Sequence, residues 1–185
     1  MNGIFLDRDG VIIRKAPEGE YVSKLDEMEF LPGSVEAIAD LSNSGFKVIV
    51  ITNQRGLATG KIRLADLEAI HRRLRQTVEC TGGEICDILY CPHDISENCP
   101  CRKPKAGMLF RAAKEHELFL PQSWMVGDAA SDITAGKTAG CKTVLISPTT
   151  EAPRIIDQPD FCTESLSSAA KFIIGSAAQQ IATNM

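Results

Sequence analysis

The chain has 185 residues, with 20 Lys+Arg against 24 Asp+Glu, a net charge of −4, 44% hydrophobic and 24% charged residues. Those fractions suit a globular domain and exclude disordered or collagen-like chains, and the mild acidity argues against a general nucleic-acid binder, which needs a basic face. No apolar run reaches the roughly 18 residues of a membrane helix, and Met1 to Gly10 lacks the pattern of a signal peptide. The composition therefore predicts a soluble, cytoplasmic protein with no membrane or nucleic-acid partner. It reads as a single domain over 1–185 and, with no exposed apolar seam legible, as a monomer.

Short apolar runs alternate with helical patterns along the chain. Ile4 to Leu6, Phe46 to Thr52, Ile88 to Tyr90, Trp124 to Val126 and Thr143 to Ser147 read as strands, mostly continuous apolar runs of the kind covered on both faces in a parallel sheet. Gly33 to Ser44 reads as a helix stopped by Gly45. Leu64, Leu67, Ile70, Leu74 and Val78 recur at spacings of three and four, an amphipathic stripe. Met108, Leu109, Ala112, Ala113 and His116 repeat the pattern, Ser131 to Ala139 is a shorter helix, and 164–185 is a helical tail. Strands alternating with helices give an α/β fold, a three-layer doubly wound parallel sheet. The loop from Val11 to Phe30 is too short for a separate cap domain. The charge run His71-Arg72-Arg73-Leu74-Arg75 reads as the solvated face of its helix. Cys80, Cys86, Cys141 and Cys162, scattered singly, read as small buried hydrophobes.

In such sheets ligands sit at the carboxyl ends of the strands. Those ends carry Asp7-Arg8-Asp9-Gly10, then Thr52-Asn53-Gln54, then Cys91-Pro92-His93 with Arg102-Lys103-Pro104 beyond, then Gly127-Asp128 with Asp132 four residues on. Any one of these could be a cap or a turn; three carboxylates and a lysine gathered on one edge form a site. Two acids one residue apart at a strand end can face the same side. Asp7 then reads as a nucleophile and Asp9 as a proton carrier, with Asp128 joining them around a hard cation such as Mg²⁺. Such a cation neutralises phosphate charge, while Thr52 and Lys103 are placed to hold the equatorial oxygens of a transferring phosphoryl group.

The blocks FLDRDG, VIVITNQ, RKP and MVGDAASD, in that order over roughly Gly3 to Ile146, resemble the haloacid-dehalogenase-like (HAD-like) phosphatases. TNQRGLATG and CPH…CPCRKPKAGM are similar to the branch of that family acting on heptose bisphosphates and histidinol phosphate. The resemblance implies a Mg²⁺-dependent phosphomonoesterase working through an aspartyl-phosphate on Asp7. It implies Asp9 as general acid then base, binding Mg²⁺ through its backbone carbonyl, and Asp128 as a further Mg²⁺ ligand. Thr52 and Lys103 would stabilise the phosphoryl group, and Arg102 is similar to the family's substrate-recognition arginine. Some relatives carry a lysine where this chain has Ala129; Asp132 is expected just behind the metal ligands.

Cys91-x-His93-x5-Cys99-x-Cys101 supplies three thiolates and an imidazole, the donor set of a closed structural Zn²⁺ site. This zinc loop, 91–103, would position Arg102 and Lys103, which follow its last ligand. A small phosphorylated sugar is the expected partner, with Arg102, Asn53, Gln54, Arg55 and Lys15 as its binding residues; Arg102, Arg55, Lys15 and its neighbour Arg14 are the cations that would answer a second phosphate. The Gly19-Glu20-Tyr21-Val22 stretch followed by FLPG resembles the heptose branch; histidinol phosphate is the alternative substrate. A zinc-stabilised binding module on an inactive fold is a third reading, against which all of Asp7, Asp9, Lys103 and Asp128 are present.

Overall fold

The structure is a computed structural model that describes residues 1–147 and 157–183, with side chains up to 179 in the last helix. Six parallel strands form one sheet: β1 (Gly3–Leu6), β2 (Lys47–Asn53), β3 (Asp87–Cys91), β4 (Trp124–Gly127), β5 (Lys142–Ile146) and β6 (Phe161–Thr163). Their spatial order is β3-β2-β1-β4-β5-β6. The chain builds outward from β1 on one side and then returns to build outward from β4 on the other. The β1/β4 boundary is therefore the topological switch point, where ligands bind in open α/β sheets.

Alternation along the strands separates two apolar layers. Ile4, Leu6, Val48, Val50 and Val126 face α1 (Ser34–Asn43), α2 (Leu64–Cys80) and α5 (Leu166–Thr183), meeting Ile38, Leu41, Ile70, Leu74 and Ile173. Phe5, Ile49, Ile51 and Met125 face the other way, against Leu109 and Ala112 of α3 (Gly107–His116) and Ala135 and Ala139 of α4 (Ala130–Ala139). Central strands β1, β2 and β4, buried except at the two ends of β2, with a helix layer on each side are the three-layer arrangement the continuous apolar runs predict.

The differences from the sequence reading are local. β6 is an additional strand: it is three residues long, has no fully buried position and sits at the sheet edge, so it lacks the apolar run that marks the others. The tail helix begins at Leu166, after Glu164 and Ser165. Ser147, expected to end the fifth strand, lies just beyond β5. Leu64 opens α2 exposed rather than on its buried stripe. Of the scattered cysteines Cys141 is buried and Cys86 half-buried, while Cys80 and Cys162 are exposed; the hydrophobe reading fails for those two because they lie at a helix end and in an edge strand.

Candidate active site

The ends of β1, β2 and β4 lie side by side, in the register Leu6 opposite Val50 and Val126, and the first residues beyond them converge. Single carboxylate oxygens of Asp7, Asp128 and Asp132 lie within 4.8 Å of one another. Lys103 reaches them from the far end of the 91–103 loop. Its Nζ is 2.9 Å from Asp7 Oδ1 and 2.6 Å from Asp132 Oδ1, and it donates to the Ile51 carbonyl at 2.9 Å. Lys103 and Asp132 are buried, so their charges persist only by pairing. Burial alone would push the Lys103 pKa down; Asp132 and Asp7 outweigh it, and the pKa is raised. Burial lifts the Asp7 carboxyl to about 6, against the pull of Lys103, with Asp132 and Asp9 adding to the rise.

Two glycines make the convergence possible. Gly10 has φ +90, and a Cβ there would lie 2.3 Å from Asp128 Oδ2. A Cβ on Gly127 would lie 2.2 Å from Asp132 Cβ. Any other residue at either place would push a carboxylate out of the cluster. Asp132 also ties the cluster to α4, accepting the Ala129 N–H through Oδ2 at 3.1 Å. That bond satisfies a donor at the helix start, so Asp132 is both a cap and the second partner of Lys103.

The residues fit a hard divalent cation. The donors are carboxylates, and Asp128 Oδ1 is buried with no hydrogen-bond partner while Oδ2 takes Lys15 Nζ at 2.9 Å. A cation among these oxygens would also oppose the upward push that burial exerts on Asp7 and Asp128.

Asp9 is held from two sides. Arg8 Nη2 lies 3.0 Å from both of its oxygens, and Gln54 Nε2 donates to Oδ2 at 3.0 Å and to Thr52 Oγ1 at 2.9 Å. Asn53 brackets the Lys103 main chain, its Oδ1 accepting the N–H and its Nδ2 donating to the carbonyl, each at 3.1 Å. Two clefts flank Asn53. One of about 250 Å³ is lined by Arg8, Asp9, Lys15, Tyr21 and Gln54. The other, of about 390 Å³, is lined by Asn98, Arg102, Lys103 and Ser131, and Arg102 carries a buried guanidinium nitrogen with no partner. Arg55 instead pairs with Asp94 at 2.7 Å. Arg14 is outside the site: it forms a two-pronged pair with Glu29 at 2.7 and 2.8 Å, both side chains exposed.

The four expected zinc ligands converge as well. Their sulfurs and His93 Nδ1 are separated by 3.2–3.6 Å along five edges, close to the ~3.7 Å edge of a tetrahedron with Zn–S bonds of about 2.3 Å. Without a cation, burial pushes the Cys91 thiol up and Cys101 up to about 12. Burial acts the same way on Cys99, but hydrogen bonds from Cys101 and Cys91 bring it down to about 7. At neutral pH the cluster needs a cation to be three thiolates. The loop between ligands is a short turn, Ile95–Glu97, capped by Asp94, which accepts the Ser96 N–H at 3.0 Å.

Sequence reasoning missed Arg8 and misplaced His71. Arg8 is 1% exposed. The signal was strand alternation: Arg8 continues the Ile4 and Leu6 face toward α2, where His71 is buried rather than solvated.

Comparison with known proteins places the chain in a family. Residues 100–169 match the HAD-hydrolase-like family profile. A D-glycero-β-D-manno-heptose-1,7-bisphosphate 7-phosphatase of Pseudomonas putida is 47% identical over 146 residues, covering 79% of this chain and 82% of that one. The chain belongs to the HAD-like phosphatases, in the heptose-bisphosphate phosphatase family. The Helicobacter pylori enzyme of the same name is 40% identical over 144 residues, 77% and 82% of the two chains. Among solved structures, the D,D-heptose 1,7-bisphosphate phosphatase of B. bronchiseptica, complexed with magnesium and phosphate, superposes with a TM-score of 0.84 at 32% identity, covering 95% of this chain and 99% of that one. As a family member the protein is a phosphatase, and no helix among the described residues is long and apolar enough to cross a membrane.

Proposed function

We propose that the protein removes the 7-phosphate of D-glycero-D-manno-heptose 1,7-bisphosphate through an aspartyl-phosphate on Asp7. The observation that carries the chemistry is the cluster of Asp7, Asp128 and Asp132 around the buried Lys103 at the sheet switch point. Asp7 attacks phosphorus in line with the ester oxygen, and the leaving alkoxide takes a proton from Asp9. Asp9 then removes a proton from water, which attacks the aspartyl-phosphate and releases inorganic phosphate, restoring the Asp7 carboxylate and the proton on Asp9. Lys103 Nζ, already against Asp7, and the Thr52 hydroxyl, at the end of β2, hold the equatorial oxygens. Asp7, Asp128 and the backbone carbonyl of Asp9 would hold Mg²⁺, which supplies charge neutralisation of the phosphate when bound.

The substrate reading rests on the named relatives and on the cations around the cleft. Heptose bisphosphate keeps a dianionic phosphate at its far end, whereas histidinol phosphate ends in an ammonium and an imidazole. Arg102 lines the cleft beside Lys103 with one guanidinium nitrogen unpartnered, and an arginine fork suits a phosphate; Lys15 lines the cleft beside Asp9 but already meets Asp128 at 2.9 Å, and Glu18 and Glu20 line that cleft with it. Arg55 is directed to Asp94 and contributes through the zinc loop. Cys91, His93, Cys99 and Cys101 would hold Zn²⁺ as a structural ion that fixes Arg102 and Lys103. In this reading the chain is one domain over 1–185 with no cap, acting in the cytoplasm as a monomer. Steady-state turnover of the two substrates with Mg²⁺ tests it. The expected kcat/KM is at least roughly tenfold higher for heptose bisphosphate, equivalent to about 1.4 kcal/mol. Equal or faster turnover of histidinol phosphate overturns the substrate assignment.

A further inference from the structure

Arg8 stands between the two acids of the first motif, yet its side chain leaves the cluster and enters the α1/α2 layer. It is among the largest fully buried side chains of the protein. Its guanidinium has three nitrogens and only two attachments. Nη2 is 3.0 Å from each Asp9 oxygen, Nη1 is 3.2 Å from His71 Nε2, and Nε has no partner. His71 sits on α2 between Ile70 and Arg72, 9% exposed, its ring tilted at 54° to that of Tyr90 on β3 with centroids 5.7 Å apart. A guanidinium can only donate, so His71 Nε2 must accept, and the ring carries its proton on Nδ1.

We infer that His71 is a positioning residue for the proton carrier: acting through Arg8, it fixes the orientation of the Asp9 carboxylate toward the leaving group. Without the His71 contact the guanidinium would be held by Asp9 alone, and acid and arginine could rotate together. With it, Arg8 is anchored to a helix on one side and grips both Asp9 oxygens on the other, while Gln54 holds Oδ2 from β2. The anchor is independent of pH over the working range. Burial, with the charges of Arg8 and Arg75, pushes the imidazole pKa down to about 3, so the ring stays a neutral acceptor. His71 lines neither cleft and acts two side chains away from the leaving group.

The inference rests on Asp9 as the proton carrier, and a leaving-group comparison separates the two claims. An alkyl alkoxide must be protonated as it departs, whereas p-nitrophenolate leaves without a proton, so a mispositioned Asp9 lowers kcat/KM, which reports the steps up to that departure, only for the first; its work as base on the aspartyl-phosphate is common to both esters and enters kcat alone. With Mg²⁺ present, kcat/KM is measured for heptose 1,7-bisphosphate and p-nitrophenyl phosphate in wild type, Asp9→Asn, His71→Leu and His71→Gln. His71→Leu is expected to lose about tenfold to hundredfold on the alkyl ester, the scale of a small misplacement, and less than about threefold on the aryl ester. His71→Gln puts a carbonyl oxygen near the position of Nε2 and should restore the alkyl rate to within about threefold. Equal losses on both esters, no loss on the alkyl ester, or failure of glutamine to rescue would each overturn the inference. If Asp9→Asn itself shows no leaving-group dependence, the proton-carrier reading fails, and the inference with it. Should His71→Leu not fold, His71→Asn, too short to reach Arg8, takes its place against His71→Gln.

Discussion

The acid cluster and the zinc loop are two centres of opposite construction that meet at one residue. Asp7, Asp128 and Asp132 stand at the ends of buried strands or on a helix start, with glycines cleared around them and Lys103 compensating their charge. Their geometry is preformed by the sheet. The candidate zinc ligands lie on a loop with one short turn between β3 and α3, their sulfurs 3.3–3.5 Å apart, a spacing that suits a shared cation. One centre is built by the core, and the other would be held by an ion. Lys103 belongs to both, because its ammonium sits in the first and its main chain ends the second. Catalytic geometry should therefore be lost abruptly when the first is altered and gradually when the second is loosened.

The largest expected effect is on the preformed side. Asp7→Asn should abolish phosphatase turnover, since an amide is not a competent nucleophile at phosphorus, while the fold and the zinc content persist. Measurable near-normal turnover would break the covalent mechanism. Lys103→Met should abolish turnover and also destabilise, because it leaves Asp7 and Asp132 buried without their cation. Loss of one partner of a buried pair costs about 3–5 kcal/mol, readable as a lower urea midpoint. A variant that is inactive but fully stable would mean that the two acids do not depend on Lys103 for compensation.

The contrast between the centres also explains what the sequence could disclose. The buried strands have continuous apolar runs, so the parallel sheet was readable from them, and Asp7, Thr52 and Asp128 could be placed at its strand ends. The ligand spacing of Cys91, His93, Cys99 and Cys101 was equally plain, as donor chemistry restricts it. What was not readable is cross-chain pairing. Nothing in the sequence joins Arg8 to His71, 63 positions away, or assigns Asn53 to the main chain of Lys103, 50 away. Arg14 looked like a substrate cation because it neighbours Lys15; only folding brings Glu29 against it. β6 was invisible because a three-residue edge strand needs no apolar run.

On the ion-built side the expected losses are graded. Cys99→Ser, or removal of zinc by a chelator, should loosen 91–103 and lower kcat while raising KM, because Arg102 and Lys103 follow the last ligand. Thermal stability should fall with it. Elemental analysis that finds no zinc in protein prepared without chelator would break this half of the comparison. Asn53→Ala removes both amide bonds to the Lys103 main chain. It should cost about 1–3 kcal/mol of stability, for two lost hydrogen bonds at the site, and lower kcat with zinc still bound. If zinc is lost as readily as in Cys99→Ser, the loop depends on its clamp more than on its ion.

The smallest effect should come from Arg55→Ala. Arg55 Nε meets Asp94 Oδ2 at 2.7 Å, and Asp94 caps the turn between the zinc ligands. The arginine thus fastens the outer rim of the zinc loop to the segment after β2, as Asn53 fastens its inner end. The two attachments differ in surroundings. Arg55 remains 40% exposed, so water and salt weaken its pair, and Asp94 keeps its bonds from the Ser96 N–H and hydroxyl after the arginine is gone. The turn should therefore survive, zinc should stay bound, and kcat should change by less than about twofold, the scale expected when only a solvent-exposed pair is lost. KM for the heptose bisphosphate should rise slightly as the Arg102 side of the cleft gains freedom, and the difference from wild type should shrink at high salt, which screens the pair that only the wild type has. A large fall in kcat, or a KM increase matching that of Cys99→Ser, would show that the rim contact and not the ion carries the loop, and would reverse the order in which the two centres are held.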